Sequence, residues 1–458
     1  MTVVPHDEFV VGSARVLAVQ TEASMKRAVI FFSLLLLSIA AAAQTEQAAK
    51  VDTSATVIRC GALYDGKSEQ LIRDAVITVS GERMVSVRTD KRPGKGPAID
   101  LSNYTCLPGL IDTHTHVLLQ GDITAADYDE QLLKQSREYR TILATQAARK
   151  ALEYGFTTIR DLETEGAMYA DVALRNAIHN GVIPGPRMKV ATRALDVTGA
   201  YPLVGYSPDV TVPHGVQVVD GPDEARKAVR EQISYGADWI KVYSDRSYYL
   251  EGGVLKDVPT FTLEELKAIV DEAHRQRRPV ASHAMALHGV HNSVEAGVDS
   301  IEHGAYISDE DMKTMVAKGI WYVPTIYVAE YVARGRAAAG AKIWVDMVPI
   351  HADTFRRAVA AGVKIGFGTD AGGFDWNINP AVEFPLMVKY GMTPAQALKS
   401  ATSGAAELLR MQNEVGTLEA GKYADIVAVP GDPLQDVTVL QKVAFVMKGG
   451  KVYKDTTK

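Results

Sequence analysis

Beyond residue 44 the apolar positions first fall into short stretches of strand length: Ala55 to Tyr64, Gln70 to Val79 and Met84 to Arg88, with Asp65-Gly66 and Ser80-Gly81 between them. Runs of this length, closed by Gly and Asp, predict strands joined by tight turns. The pattern returns at the other end, in Ala424 to Val429 and Val443 to Tyr453, broken by Pro430-Gly431-Asp432-Pro433 and Gly449-Gly450. The two chain ends are therefore expected to share one small β domain, a β-sandwich made of residues 44–107 and 416–458.

Between them, runs rich in Val, Ile and Thr alternate with amphipathic stretches of helical length. Strands are expected at Leu107 to Val117, Phe156 to Asp161, Arg187 to Thr192, Trp239 to Ser244, Pro279 to Ala284, Val298 to His303, Trp321 to Thr325 and Lys364 to Asp370. Helices are expected at Glu138 to Tyr154, Pro222 to Tyr235, Leu263 to Arg277, Asp309 to Ala317 and Ala341 to Ala361. Strand and helix in regular alternation predict βα units around a parallel sheet. Eight such strands over residues 108–415 predict an α/β fold of the closed (β/α)8 TIM type.

Composition narrows the class. The chain has 458 residues, 47% hydrophobic and 23% charged, which is enough apolar material for a large core. Lys and Arg number 49 against 55 Asp and Glu, a net charge of −6, so no basic surface favours nucleic acid. Near the start, Met25-Lys26-Arg27 leads into the apolar run Ala28 to Ala40, then Ala41-Ala42-Ala43 and Gln44. Positive, apolar and small residues in that order predict a secretory signal at 25–43, cleaved near Ala43. The run is shorter than the roughly 20 residues needed to span a bilayer. Residues 1–24 are expected to be an extension without a structural role, with translation starting at Met25. The mature protein is expected to be soluble in a bacterial periplasm or secreted. Cys60 and Cys106 are the only cysteines. An oxidising compartment would let them pair if their Cα atoms came close, but two separate buried thiols are the plainer expectation.

The candidate chemistry gathers at the C-terminal ends of the predicted strands, where barrel enzymes carry their sites. In Asp112-Thr113-His114-Thr115-His116, alternation along a strand points His114 and His116 to the same side. Later strands add His283, His303 and Asp370. Each imidazole alone could be a hydrogen-bonded core residue; together with a carboxylate they form a set suited to zinc or a similar divalent ion. Lys241, inside Trp239-Ile240-Lys241-Val242-Tyr243, would bury a cation at a cost. It must either pair with a distant carboxylate or lose its charge chemically, for instance as a carbamate.

With these residues in place the chain resembles the amidohydrolase superfamily, in the binuclear branch with a carboxylated lysine on strand four. The resemblance rests on Pro108-Gly109-Leu110-Ile111-Asp112-Thr113-His114-Thr115-His116, Lys241, His283, Gly297 through Gly304, Gly368-Thr369-Asp370 and Gly416 through Asp425. It implies two divalent ions, one held by His114, His116 and Asp370, the other by His283 and His303, with carboxylated Lys241 bridging both. Within the superfamily the chain is most similar to prolidase-like and carboxypeptidase-like enzymes and to bacterial ochratoxin-degrading amidohydrolases. The subgroup's second strand-five His is replaced here by Met285. His288 and His291, at the start of the next helix, are expected to be structural or to stand behind the metal ligands. The resemblance also implies a homo-oligomer, up to an octamer.

Amide hydrolysis needs a strong nucleophile near neutral pH and a proton for the leaving nitrogen. Two metal ions can supply the first by acidifying a shared water and polarising the carbonyl. Asp370 is the expected proton carrier, base and then acid. Tyr201, Tyr206, Tyr243, Tyr248, Tyr249, Tyr327, Phe374 and Trp376 lie in loops that could wall an apolar pocket. Arg193 and Arg246 could fix a substrate carboxylate. Substrate contacts are expected from Tyr243, Arg246, Arg193 and Tyr327. The expected substrate is an N-acyl amino acid or dipeptide with an apolar C-terminal residue, the phenylalanine amide of ochratoxin A included. The alternative is a single-metal deaminase or cyclic-amide hydrolase of the imidazolonepropionase kind, which usually lacks the bridging lysine.

Overall fold

The structure is a computed structural model that describes residues 55–89, 98–201 and 206–457. The expected signal segment 25–43 and the extension before it lie outside the described residues. Among the described residues no helix is long and apolar enough to cross a membrane.

The strands, in chain order, are β1 (Thr56–Leu63), β2 (Ile72–Ser80), β3 (Arg83–Arg88), β4 (Ala98–Pro108), β5 (Leu110–Thr115), β6 (Phe156–Asp161), β7 (Arg187–Val190), β8 (Leu195–Asp196), β9 (Gln217–Val218), β10 (Ile240–Tyr243), β11 (Asp245–Glu251), β12 (Val254–Pro259), β13 (Val280–Ala284), β14 (Ser300–His303), β15 (Trp321–Val323), β16 (Lys364–Ile365), β17 (Ile426–Pro430), β18 (Phe445–Lys448) and β19 (Lys451–Asp455). Both ends of the described chain enter one seven-stranded sheet, ordered β19-β18-β17-β4-β1-β2-β3. The join is the antiparallel pairing of β17 with β4, and β1 and β4 run parallel. Its hydrogen bonds form one continuous ladder, where the sequence pattern had pointed to a sandwich. Ile58, Leu101 and Ile426 fill its apolar side.

Cys60 and Cys106 are joined in a disulfide, with Cα atoms 5.8 Å apart. This overturns the expectation of two separate thiols. The reason lies in the pairing: β1 against β4 carries a register shift between Cys60 and Ala62, where Gly61 lets the Ser102 carbonyl come so close that a Cβ would lie 2.0 Å from its oxygen. Nothing local to either cysteine announces that pairing.

The central strands form two parallel sheets, β5-β6-β7 and β16-β15-β14-β13-β10-β8-β9. Backbone bonds also run from one to the other. Thr113 N donates to Phe367 O at 2.9 Å, Asp370 N to His114 O at 2.8 Å, and Trp239 N to Val190 O at 3.1 Å. The expected helices appear within a residue or two, as Arg137–Glu153, Pro222–Ser234, Leu263–Arg275, Asp309–Lys318 and Ile343–Ala361. Their starts carry the local signals one would ask for: Ser136 and Ser308 accept backbone N–H groups as caps, Thr262 and Glu265 form a capping box, and Pro222 sits in the first turn.

Two strand expectations change. Leu107 to Val117 is split at Gly109 between β4 of the terminal sheet and β5 of the central one. A Cβ there would lie 2.0 Å from the Thr157 hydroxyl, so only glycine lets the chain cross between sheets at this contact. Lys364 to Asp370 is a ladder strand only over Lys364–Ile365, after which the chain turns to bond β5 instead.

Candidate active site

The imidazoles converge as alternation along the strand requires. His114, in β5, and His116, just beyond it, bring their Nε2 atoms 3.2 Å apart and 3.6 and 3.1 Å from Asp370 Oδ1. The His303 ring lies 4.9 Å from that of His114, and the His283 ring 4.5 Å from that of His303. His303 and Asp370 both hold positive φ, 69° and 61°, a conformation disfavoured for side-chain-bearing residues and common where a site over-determines the backbone. Nitrogen and oxygen atoms of His114, His303 and Asp370 all lie within 4.8 Å of one another.

The outward ring nitrogens are held by partners that orient the inward ones. His114 Nδ1 meets Glu302 Oε2 at 2.8 Å, and the other Glu302 oxygen accepts from Arg160 at 2.8 Å. His303 Nδ1 meets the Thr325 hydroxyl at 2.8 Å. His283 Nε2 meets the Tyr248 hydroxyl at 3.0 Å, and that hydroxyl donates to Asp245 at 3.1 Å. Such outer partners are what fixes a ligating histidine's tautomer and ring plane.

Burial, reinforced by the Lys241 charge, holds His114 and His283 well below the ordinary histidine range, and burial does the same for His303. These three are neutral at pH 7 and can offer lone pairs. His116 departs upward, because its bond to Asp370 and the charge of Glu165 outweigh its burial. Burial pushes Asp370 up, but His114, His116 and Lys241 outweigh it and keep the carboxyl below its usual value. Lys241, in β10, is fully buried; burial lowers its ammonium, partly offset by Glu302, Glu163 and Asp370. Neutral imidazoles, an ionised carboxylate and a lysine pressed toward its neutral form make a donor set that fits divalent metal.

Beside this cluster opens a cavity of about 270 Å³. His116, His283, His303 and Asp370 reach it, with Tyr201, Tyr243, Tyr248 and Trp344 as aromatic walls and Arg246 and Arg336 as cations. Two expected substrate contacts are elsewhere. Arg193 turns to the Val216 carbonyl, and Tyr327 packs edge-on against Phe374, 5.1 Å between centroids; neither lines the cavity. Both lie near strand ends, but their side chains are taken up by neighbouring elements. Trp376 and Phe374 are buried behind the site, Trp376 Nε1 donating to His116 O, while Tyr206 and Tyr249 are exposed. His288 and His291 bond Asp257 and Asp311, the structural one of the two roles expected of them.

Residues the sequence left unassigned complete the site: Glu302, Asp245, Arg336, and the pair Glu163 and Glu165 just past β6. Glu163 accepts from the Tyr243 hydroxyl at 2.7 Å, Glu165 from the Tyr128 hydroxyl at 2.9 Å, and Glu165 Oε1 is 3.7 Å from His116 Nδ1. A signal was available, since two glutamates in Asp161-Leu162-Glu163-Thr164-Glu165 follow a strand whose end faces the site. Arg336 carried none: it lies on helix Ile326–Ala338, stacked on Trp344 at 4.1 Å.

Comparison with known proteins places this arrangement. Residues 105–453 match the amidohydrolase family model. Ochratoxinase of Aspergillus niger is 32% identical over 438 residues, covering 88% of this chain and 87% of that protein. The crystal structure of a Xaa-Pro dipeptidase with bound methionine in its active site is 36% identical, with a TM-score of 0.79 over 88% of this chain and all of that one. A prolidase complexed with N-methylphosphonate-L-proline is 28% identical, with a TM-score of 0.78 and the same coverage. The chain belongs to the amidohydrolase family and is a hydrolytic enzyme.

Proposed function

We propose that this enzyme hydrolyses the amide bond of a dipeptide or N-acyl amino acid with an apolar C-terminal residue, at a centre of two divalent ions. The observation that carries the reading is the convergence of His114, His116, His283, His303 and Asp370 in one cluster at the edge of a cavity, beside a fully buried Lys241. The Xaa-Pro dipeptidase and prolidase relatives support it, since their names describe cleavage of a dipeptide bond, and the ochratoxinase relative adds an enzyme named for ochratoxin. The backbone bonds linking the two parallel sheets support a closed (β/α)8 barrel beside the terminal sheet.

In this reading His114, His116 and Asp370 would hold one ion and His283 and His303 the other, with Lys241, as a carbamate, a further ligand. Zinc suits this nitrogen-rich set. Bound there, the ions supply Lewis-acid activation of water and of the scissile carbonyl. The rest falls to the chain. Asp370 is ionised at neutral pH and takes the proton from the attacking water, then returns it to the departing nitrogen. Tyr248, held by Asp245 and His283, presents its hydroxyl at the cavity wall. Arg246 and Arg336 face the same space, where either guanidinium can grip the substrate carboxylate through paired N–H donors. The Cys60–Cys106 disulfide supports an oxidising compartment, and with it the secreted or periplasmic location.

Xaa-Pro dipeptides, N-acyl-phenylalanine and ochratoxin A, assayed side by side with metal-loaded enzyme, should include at least one that releases its C-terminal amino acid. Release from none of them sinks the proposal. Elemental analysis is expected to find two divalent ions per chain; a single ion would favour a cyclic-amide hydrolase. A carbamate carbon bonded to Lys241 should be visible by NMR after growth in 13C-bicarbonate, and a bare amine in active enzyme would remove that ligand.

A further inference from the structure

The metal centre leaves one charged cluster unused. Glu163 and Glu165 are buried, at 0% and 2% exposure, and together with His116 they bring one ligand atom each within 4.8 Å of the others. Among the described residues no lysine or arginine side chain donates to either carboxylate. Glu163 Oε1 and His116 Nδ1 are buried and without a hydrogen-bond partner. Two carboxylates out of water with only tyrosine hydroxyls donating to them cost stability, and the charge of Lys241, which reaches Glu163, offsets only part of that cost. The surrounding walls are aromatic: the Tyr201 ring stacks on Tyr243 at 4.5 Å, and Tyr128 meets Tyr201 edge-on at 5.7 Å. Glu165, Tyr201 and Tyr243 open onto the same cavity as the metal ligands.

Resting on the amide-hydrolase reading above, we propose that Glu163 and Glu165, walled by Tyr201 and Tyr243, form a subsite for a primary ammonium group of the substrate. Carboxylates beside aromatic faces are the chemistry that binds ammonium, by charge-assisted hydrogen bonds and by attraction to the ring faces. The position selects which ammonium. Glu165 is one imidazole ring away from Asp370, since His116 touches both. An α-amino nitrogen is two bonds from its own carbonyl carbon, whereas a lysine side-chain ammonium is several bonds further. The short span therefore fits the free amino terminus of a dipeptide whose first carbonyl is attacked at Asp370. A third metal ion fits less well, because His116 would have to serve cations on both ring nitrogens. The enzyme is thus a dipeptidase that reads the amino terminus, and N-acylated amino acids are its poorer substrates.

The test compares kcat/KM for Met-Pro, N-acetyl-Met-Pro and N-acetyl-Lys-Pro in the metal-loaded wild type, Glu163→Gln and Glu165→Gln. The expected wild-type preference for Met-Pro over N-acetyl-Met-Pro is at least about tenfold, the ratio for one charge-assisted bond. In both variants that ratio should fall toward one, a change that a general loss of metal or fold would not produce, because it would lower both substrates alike. A rate on N-acetyl-Lys-Pro equal to that on Met-Pro would overturn the assignment to the α-ammonium. Equal rates on Met-Pro and N-acetyl-Met-Pro in the wild type would overturn the subsite and leave the amide-hydrolase reading standing. Release of proline from none of the three would overturn the subsite, and the amide-hydrolase reading would then stand only if N-acyl-phenylalanine or ochratoxin A is cleaved. A third stoichiometric metal ion, lost in Glu163→Gln, would also overturn it.

Discussion

At the residue scale the site is an argument about which atoms are left free to bind. Each imidazole has two nitrogens, and in His114, His283 and His303 the chain spends one on a fixed partner so that the other is free to face the centre. Glu302 is the clearest case, because it serves His114 on one oxygen and Arg160 on the other, all fully buried. Replacing it by Gln should weaken metal affinity roughly ten- to a hundredfold, the usual cost of losing an outer-shell partner. Competition with a chelator measures this, and unchanged affinity would make Glu302 a fold residue only. Asp370→Asn should leave the thermal midpoint near that of the wild type while turnover drops at least about a hundredfold. Retained turnover would take the proton-carrier role away from Asp370.

Elements hold these residues at strand ends and cap one another. Thr325, two residues past β15, has φ 48° and gives helix Ile326–Ala338 no side-chain cap. The missing acceptors come from another helix: Glu383, at the start of Glu383–Lys389, accepts from Ile326 N and Tyr327 N at 2.7 and 2.8 Å. Burial pushes its carboxyl up to about 8 despite those two donors. A carboxyl raised on folding keeps its proton in the native state at pH values where the unfolded chain has lost it. Its stabilising contribution is whole below the unfolded value near 4.5 and is lost as pH climbs toward 8. Stability should decline over that window by at most about 1.4 kcal/mol per pH unit from this group. Glu383→Gln, which cannot ionise, should flatten the decline in denaturant titrations at pH 5 to 8. An unaltered slope would show that other groups set it.

Across the described molecule the first and last strands share one sheet that is joined to the centre. The terminal sheet closes through β17 on β4, and β4 passes through Gly109 directly into the strand that carries His114. The disulfide ties β1 to β4 across a separation of 46 residues. Loop closure of that length predicts stabilisation of about 4 kcal/mol in the chain-entropy account. Cys60→Ala with Cys106→Ala should therefore lower the unfolding free energy by an amount of that order, read from denaturant midpoints. If the midpoint stays put, the bridge adds no constraint beyond the sheet.

The sequence by itself determined the alternation of strands and helices, the strand ends at which His114, His116, His283, His303 and Asp370 sit, the anomaly of Lys241, and the family. Those features are local: periodicity, turn residues and spacing along one strand are written in consecutive positions. Tertiary structure alone decided which side chains meet across elements. It sent Arg193 and Tyr327 away from the cavity, brought Arg336 into it from a helix, set Glu302 behind His114, gathered Glu163 and Glu165 beside His116, and paired the two cysteines. Each of those depends on distances between strands remote in sequence, which no window along the chain can measure.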